Sequence, residues 1–128
     1  MNICIVDDDR AFLDALDEVL SSEGHAVRVA PDGCAAERIL ADWQPDIVLC
    51  DLLMPTCEGF EFLRKVRRQH PDLKFVMMSG ARGPLSQLLT QASDLGADAT
   101  IAKPFMPNEL FSLIADLVPG QVASGNGN

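Results

Sequence analysis

Residues 2–10 read NICIVDDDR, an apolar run from Ile3 to Val6 that ends on three consecutive aspartates, Asp7, Asp8 and Asp9. The run is too short for a helix and has no polar alternation, so it reads as a strand covered on both faces. Adjacent carboxylates repel, and leaving one charge buried and unpaired is costly. The acidic end is therefore either a solvated turn or a cation site.

Four more short runs follow, at Ala26–Ala30, Asp46–Cys50, Lys74–Ser79 and Asp98–Ala102. Arg28 interrupts the second of them, which suits an edge strand. Between the runs lie stripes of apolar residues at helical spacing. Phe12, Leu13, Leu16, Val19 and Leu20 form the first, closed by Gly24. Ala36, Ile39, Leu40 and Trp43 precede Pro45; Phe60, Leu63 and Val66, with Phe62 beside them, precede Pro71. Leu85, Leu88, Leu89 and Ala92 form a fourth stripe, with Pro84 where a first helical turn tolerates it. Leu110, Leu113, Ile114 and Leu117 form the last, before Pro119. Five βα units in strict alternation imply a doubly wound α/β fold, a parallel sheet with helices on both faces. Residues 1–118 make one domain. The segment PGQVASGNGN (119–128) reads as a disordered tail or a truncated linker.

Composition narrows the function. The 128 residues are 48% hydrophobic and 23% charged, as expected of a globular chain with a single core. Nineteen acidic against ten basic residues give a net charge of −9. That balance argues against direct nucleic-acid binding and against docking on anionic membrane. The first residues carry no basic, apolar leader, and no apolar run approaches the roughly 20 residues that span a bilayer. A cytoplasmic location is expected. Cys4, Cys34, Cys50 and Cys57 show no paired-ligand spacing, which disfavours zinc. Cys4 and Cys50 fall inside strands as small hydrophobes, and Cys57 falls in a loop with no assigned chemistry. His25 and His70 stand at element ends, away from the acidic cluster. Arg64, Lys65, Arg67 and Arg68 read as a solvated helix face, with recruitment of an acidic partner as the alternative.

In doubly wound folds, function gathers at the carboxyl ends of the strands, beside the point where strand order reverses. The polar residues of this chain collect there. The first run ends in Asp7 and Asp8, the third in Asp51, the fourth in Ser79, and the fifth shortly before Lys103. Three neighbouring carboxylates cannot all stay ionised without a cation, and hard oxygen ligands suit magnesium or manganese. Lys103 adds a positive charge and Ser79 a hydroxyl. Such a set can hold an anionic group bridged by a metal, as phosphoryl transfer requires. Asp9 alone reads as a helix cap.

The pieces IVDDD (5–9), DLLMP (51–55), EGFEFL (58–63), MMSG (77–80), GADA (96–99) and KPF (103–105) resemble, in order and spacing, a two-component response-regulator receiver domain. The resemblance runs from Asn2 to about Leu117. It implies a flavodoxin-like (βα)5 fold with sheet order 2-1-3-4-5 and five helices. It also implies that Asp51 is the phosphoacceptor, taking a phosphoryl group from a sensor histidine kinase or phosphotransfer domain. Asp8, Asp51 and the backbone carbonyl of Leu53 would ligate Mg²⁺ directly, with Mn²⁺ as a substitute, and Asp7 would act through water. Lys103 would pair with one phosphoryl oxygen and Ser79 with another, and Lys103–Pro104 would be a cis peptide. Part of the first helix and the loop from Pro104 to Pro107 would dock the kinase. Such a protein is a signalling switch rather than a turnover enzyme, acting on a downstream protein that the sequence does not identify.

Three departures matter. Thr100 stands where many receivers carry an aromatic switch residue, so a modest or differently routed response is expected. Leu53 and Ala81 offer no group to orient a hydrolytic water, which points to a long-lived phosphoryl group. Ser86, Gln87, Thr90 and Gln91 present a polar, uncharged face that reads as solvated, with partner contact as the alternative. Two rival functions are a phosphorylation-independent interaction module and a Mg²⁺-dependent phosphatase. Leu53 in the place of a general acid, and no room for a substrate-covering cap, disfavour the phosphatase.

Overall fold

The three central strands form because each buries apolar side chains on two faces at once. The structure is a computed structural model, described over residues 1–52, 59–80 and 96–118, with residues 59 and 60 described by backbone only. It contains β1 (Asn2–Val6), α1 (Arg10–Ser22), β2 (Ala26–Ala30), α2 (Gly33–Asp42), β3 (Ile47–Asp51), α3 (Gly59–Gln69), β4 (Lys74–Ser79), β5 (Ala99–Ala102) and α4 (Pro107–Leu117). All pairings are parallel and the sheet order is β2-β1-β3-β4-β5. The stripe at Leu85–Ala92, its polar face, Leu53, Cys57, Ala81 and the segment 119–128 lie outside the described residues.

Alternate residues of each central strand serve opposite faces. Ile3, Ile5, Ile47, Leu49, Val76 and Met78 pack with Leu13, Leu16 and Leu20 of α1 and Leu110 and Ile114 of α4. Cys4, Val6, Val48, Cys50, Phe75 and Met77 face the other way, against Ala36 and Leu40 of α2 and Phe62, Leu63 and Val66 of α3. Ile3–Val6, Ile47–Cys50 and Phe75–Met78 of the interior strands are therefore apolar on both faces, whereas edge strand β2 exposes Arg28. No described helix is long and apolar enough to cross a membrane.

The boundaries follow local hydrogen bonding. Asp9 caps α1, its carboxylate accepting from the Phe12 N–H at 3.2 Å, and Asp32 caps α2 through the Ala35 N–H at 2.8 Å. Gly24 follows α1 at φ +92, a conformation glycine adopts without steric cost. Two strands start one residue later than their sequence runs. Asp46 and Asp98 stand outside because their carboxylates accept the N–H groups of Asn2 and Phe75, each at 2.8 Å. β3 extends one residue further, so Asp51 belongs to the strand and pairs with Met78.

Arg67 departs from the solvated run in which the sequence places it. Its guanidinium donates to the carbonyls of Gly96 (2.7 Å), Pro71 (3.1 Å) and Leu73 (2.6 Å) and pairs with Asp98. One side chain thus ties the end of α3 to the starts of β4 and β5. Lys65 also leaves the run, pairing with Glu37 of α2 at 3.3 Å.

Candidate functional site

β1 lies between β2 and β3, so the chain leaves it on one side and returns on the other. The crevice this creates opens at the carboxyl ends of β1 and β3. There Asp7, Asp8 and Asp51 each present a carboxylate oxygen within 4.8 Å of the other two. The three are not equivalent. Asp7 is almost wholly buried, Asp51 is buried to 9% exposure, and Asp8 is open to solvent.

Lys103, one residue past β5, reaches back across the crevice. Its Nζ donates to Asp7 Oδ2 and stands 3.2 Å from Asp51 Oδ1. Asp7 Oδ1 accepts the backbone N–H of Asp9 at 2.9 Å, so both its oxygens are engaged. The Lys103 N–H is anchored on the Ser79 carbonyl at 2.7 Å, and the Lys103–Pro104 peptide is cis. Ser79 ends β4 with its side chain buried at the same rim. Thr100, half-buried in β5, stands opposite Met77. The expected set of Asp7, Asp8, Asp51, Ser79 and Lys103 thus collects at one end of the sheet, and Leu53 lies outside the described residues.

The electrostatics leave room for a cation. One ammonium faces three carboxylates. Burial pushes the Asp51 carboxyl above its ordinary value; Lys103 draws it down, while Asp7 and Asp8 push it up. Burial disfavours the Lys103 ammonium, but the hydrogen bond to Asp7 and the charges of Asp51 and Asp7 outweigh it and hold the group above 10.5. Excess negative charge with all-oxygen donors, one of them solvent-facing, fits a small hard divalent cation.

Cys50 and Cys4, both free and buried, are poor nucleophiles, with burial pushing the Cys4 thiol to about 12 and Cys50 well above its ordinary value. Cys34, at the start of α2, is disulfide-bonded.

Beside the crevice runs a shallow apolar groove of about 150 Å³, lined by Phe12, Ala15, Leu16, Val19, Phe105 and Pro107. Met106 next to it is 66% exposed. Phe12 joins groove to crevice, a role its place in an apolar stripe does not announce. Lys103 Nζ stands 4.1 Å from the centroid of its ring.

A family model described as the response regulator receiver domain matches residues 3–115. The response regulator MprA of Mycobacterium sp. (strain KMS) is 36% identical over 118 residues, covering 92% of this chain and 50% of that protein. The chain thus spans about half the length of the curated relatives it matches. A CheY-like receiver domain protein from Methanospirillum hungatei JF-1 superposes with a TM-score of 0.83 at 28% identity, covering 98% of this chain and 96% of that one. The response regulator TrrA of Thermotoga maritima, solved in complex with Mg²⁺-BeF, superposes at 0.80 with 27% identity, covering 91% of this chain and 98% of that one.

Proposed function

The chain belongs to the response regulator receiver domain family, signalling modules of two-component systems, and we propose that it accepts a phosphoryl group on Asp51. The observation that carries this reading is the convergence of Asp7, Asp8, Asp51 and Lys103 at one strand-end crevice. A carboxylate oxygen of Asp51 attacks phosphorus, forming the acyl phosphate O–P bond as the P–N bond of a donor phosphohistidine breaks. The departing imidazole keeps the bonding pair and takes a proton. Lys103 offers its ammonium to one transferring oxygen, and the Ser79 hydroxyl donates to another. A divalent cation, when bound, supplies charge compensation for the oxygens in transfer. Asp8 and Asp51 are the residues to hold it, with the Leu53 carbonyl, and Asp7 through water. The Thermotoga relative, solved in complex with Mg²⁺-BeF, supports a divalent cation at such a site.

The donor is a sensor kinase or phosphotransfer domain in the cytoplasm, and the apolar groove beside Phe105 is the surface offered to it. The product is a signalling state of residues 1–118 and not a released chemical. With Thr100 in place of a bulky ring, the readout travels through the Ser79 side of the sheet. Leu53 and Ala81 provide no side chain to orient hydrolytic water, so the phosphoryl group persists well beyond seconds after donor removal. Complete loss within a few seconds contradicts that expectation.

Incubation with acetyl phosphate and Mg²⁺ tests the reading: the intact mass gains one phosphoryl group, and hydroxylamine removes it as it does any acyl phosphate. No gain at saturating donor contradicts it.

A second test concerns the cation. Mg²⁺ at a hundred times its Kd is expected to stabilise the fold by about 2.7 kcal/mol, read as a rise in the thermal midpoint. Asp8→Asn removes most of that rise, whereas Asp9→Asn, which retains a capping side chain, leaves it intact. The reverse pattern places the metal on the wrong aspartate.

A further inference from the structure

Lys103 has a long, rotamer-rich side chain, and aiming it at a transferring phosphoryl oxygen requires that its freedom be restricted. On one side of the ammonium stand Asp7 and Asp51. Opposing partners of this kind change during the proposed chemistry: Asp51 becomes an acyl phosphate, and Asp7 would share its charge with a bound cation. The third contact is to a group that takes no part in the chemistry. The ring of Phe12 lies with its centroid 4.1 Å from Nζ, well inside the distance of about 6 Å at which a ring face attracts a cation.

The ring itself is held from two directions. The Phe12 amide donates to the Asp9 cap at 3.2 Å, so the acidic run that ends β1 also fixes the first turn of α1. Phe105 meets the ring edge-on, with centroids 6.0 Å apart and planes at 90°. Lys103 and the ring that buttresses Phe12 therefore come from one short segment.

We infer that Phe12 is a positioning residue for phosphoryl transfer, its ring face holding the Lys103 ammonium in line with the crevice. A neutral face suits this task better than a fourth carboxylate. It confines the ammonium without competing with the phosphoryl oxygens for its charge, and it excludes water from that side. This role rests on the reading of Asp51 as phosphoacceptor.

The test uses the full chain, with Phe12→Leu to remove the ring while keeping apolar bulk, and Phe12→Tyr to keep the ring face. Acetyl phosphate is the donor, because a small molecule does not need the groove that Phe12 also lines. In the metal-free parent, the ε-CH2 protons of Lys103 are expected upfield of ordinary lysines, displaced by the ring current. Phe12→Leu abolishes the displacement and slows Mg²⁺-dependent phosphorylation roughly three- to thirtyfold, the range of a partly desolvated cation–ring contact. Phe12→Tyr retains both properties. Undisplaced Lys103 signals in the parent, parental rates in Phe12→Leu, or equal slowing in Phe12→Tyr each overturn the inference. A parent that takes up no phosphoryl group overturns the acceptor reading, and the role of Phe12 in transfer with it. A labelled parent alongside an equally fast Phe12→Leu overturns the role of Phe12 alone.

Discussion

Asp51→Asn is expected to lose phosphorylation by acetyl phosphate at least about a thousandfold, while its metal-free fold is no less stable than the parent's. The loss follows from chemistry: an amide oxygen does not serve as nucleophile where an ionised carboxylate did. The retained stability follows from burial. Asp51 is held above its ordinary 3.8 chiefly because burial disfavours its charged form, with Asp7 and Asp8 adding to that and Lys103 opposing it. A carboxyl whose folded pKa is raised favours folding when protonated, and loses that advantage as pH rises from 3.8 through the raised value. At neutral pH the ionised group is a net cost to the fold, which the neutral amide removes. Thermal unfolding in EDTA beside a phosphorylation assay checks both halves. A variant that loses activity by unfolding contradicts this electrostatic account of the site.

Lys103→Met is expected to act in the opposite sense on stability. It leaves Asp7, almost wholly buried, and Asp51 without their ammonium. Removing one partner of a buried pair costs about 3–5 kcal/mol, far more than loss of an exposed ion pair. The urea midpoint of the metal-free variant should fall accordingly, and Mg²⁺ should narrow the gap by compensating the same carboxylates. The pH dependence has a fixed sign. Lys103 is held above 10.5, so its contribution is fully present below that pH and is lost as pH rises through the raised value. The parent's advantage therefore persists through neutral pH and, on the alkaline side, closes only as Lys103 deprotonates. Equal midpoints at neutral pH contradict the pairing.

Much of this arrangement is legible in the residues themselves. A continuous run such as Ile47–Cys50 has only one economical placement, between two layers of helices, and the strict alternation of runs and stripes then leaves a parallel sheet. Because function in such sheets collects at the carboxyl ends, the terminal residues Asp7, Asp8, Asp51, Ser79 and Lys103 stand out in the sequence itself. Periodicity does not say which distant groups a polar side chain meets. Arg67 looks like its neighbours Arg64 and Arg68, yet it is committed to the Gly96 carbonyl, 29 residues away. Asp46 and Asp98 look like the first residues of strands but cap the backbone of their neighbours instead. Phe12 satisfies an apolar stripe so well that its ring contact with Lys103, brought from the far end of the chain, leaves no trace in spacing. The three aspartates of the opening run divide in the same way: Asp7 pairs with Lys103, Asp8 faces solvent beside Asp7 and Asp51, and Asp9 caps α1.

Reductive trapping reads directly whether Asp51 carries the phosphoryl group. Protein treated with acetyl phosphate and Mg²⁺ is reduced with borohydride, which converts an aspartyl phosphate to homoserine, and is then sequenced by peptide mass spectrometry. Homoserine is expected at position 51 alone, and only when Mg²⁺ is present. Homoserine at position 7, 8 or 9, or at no position at all, would contradict it.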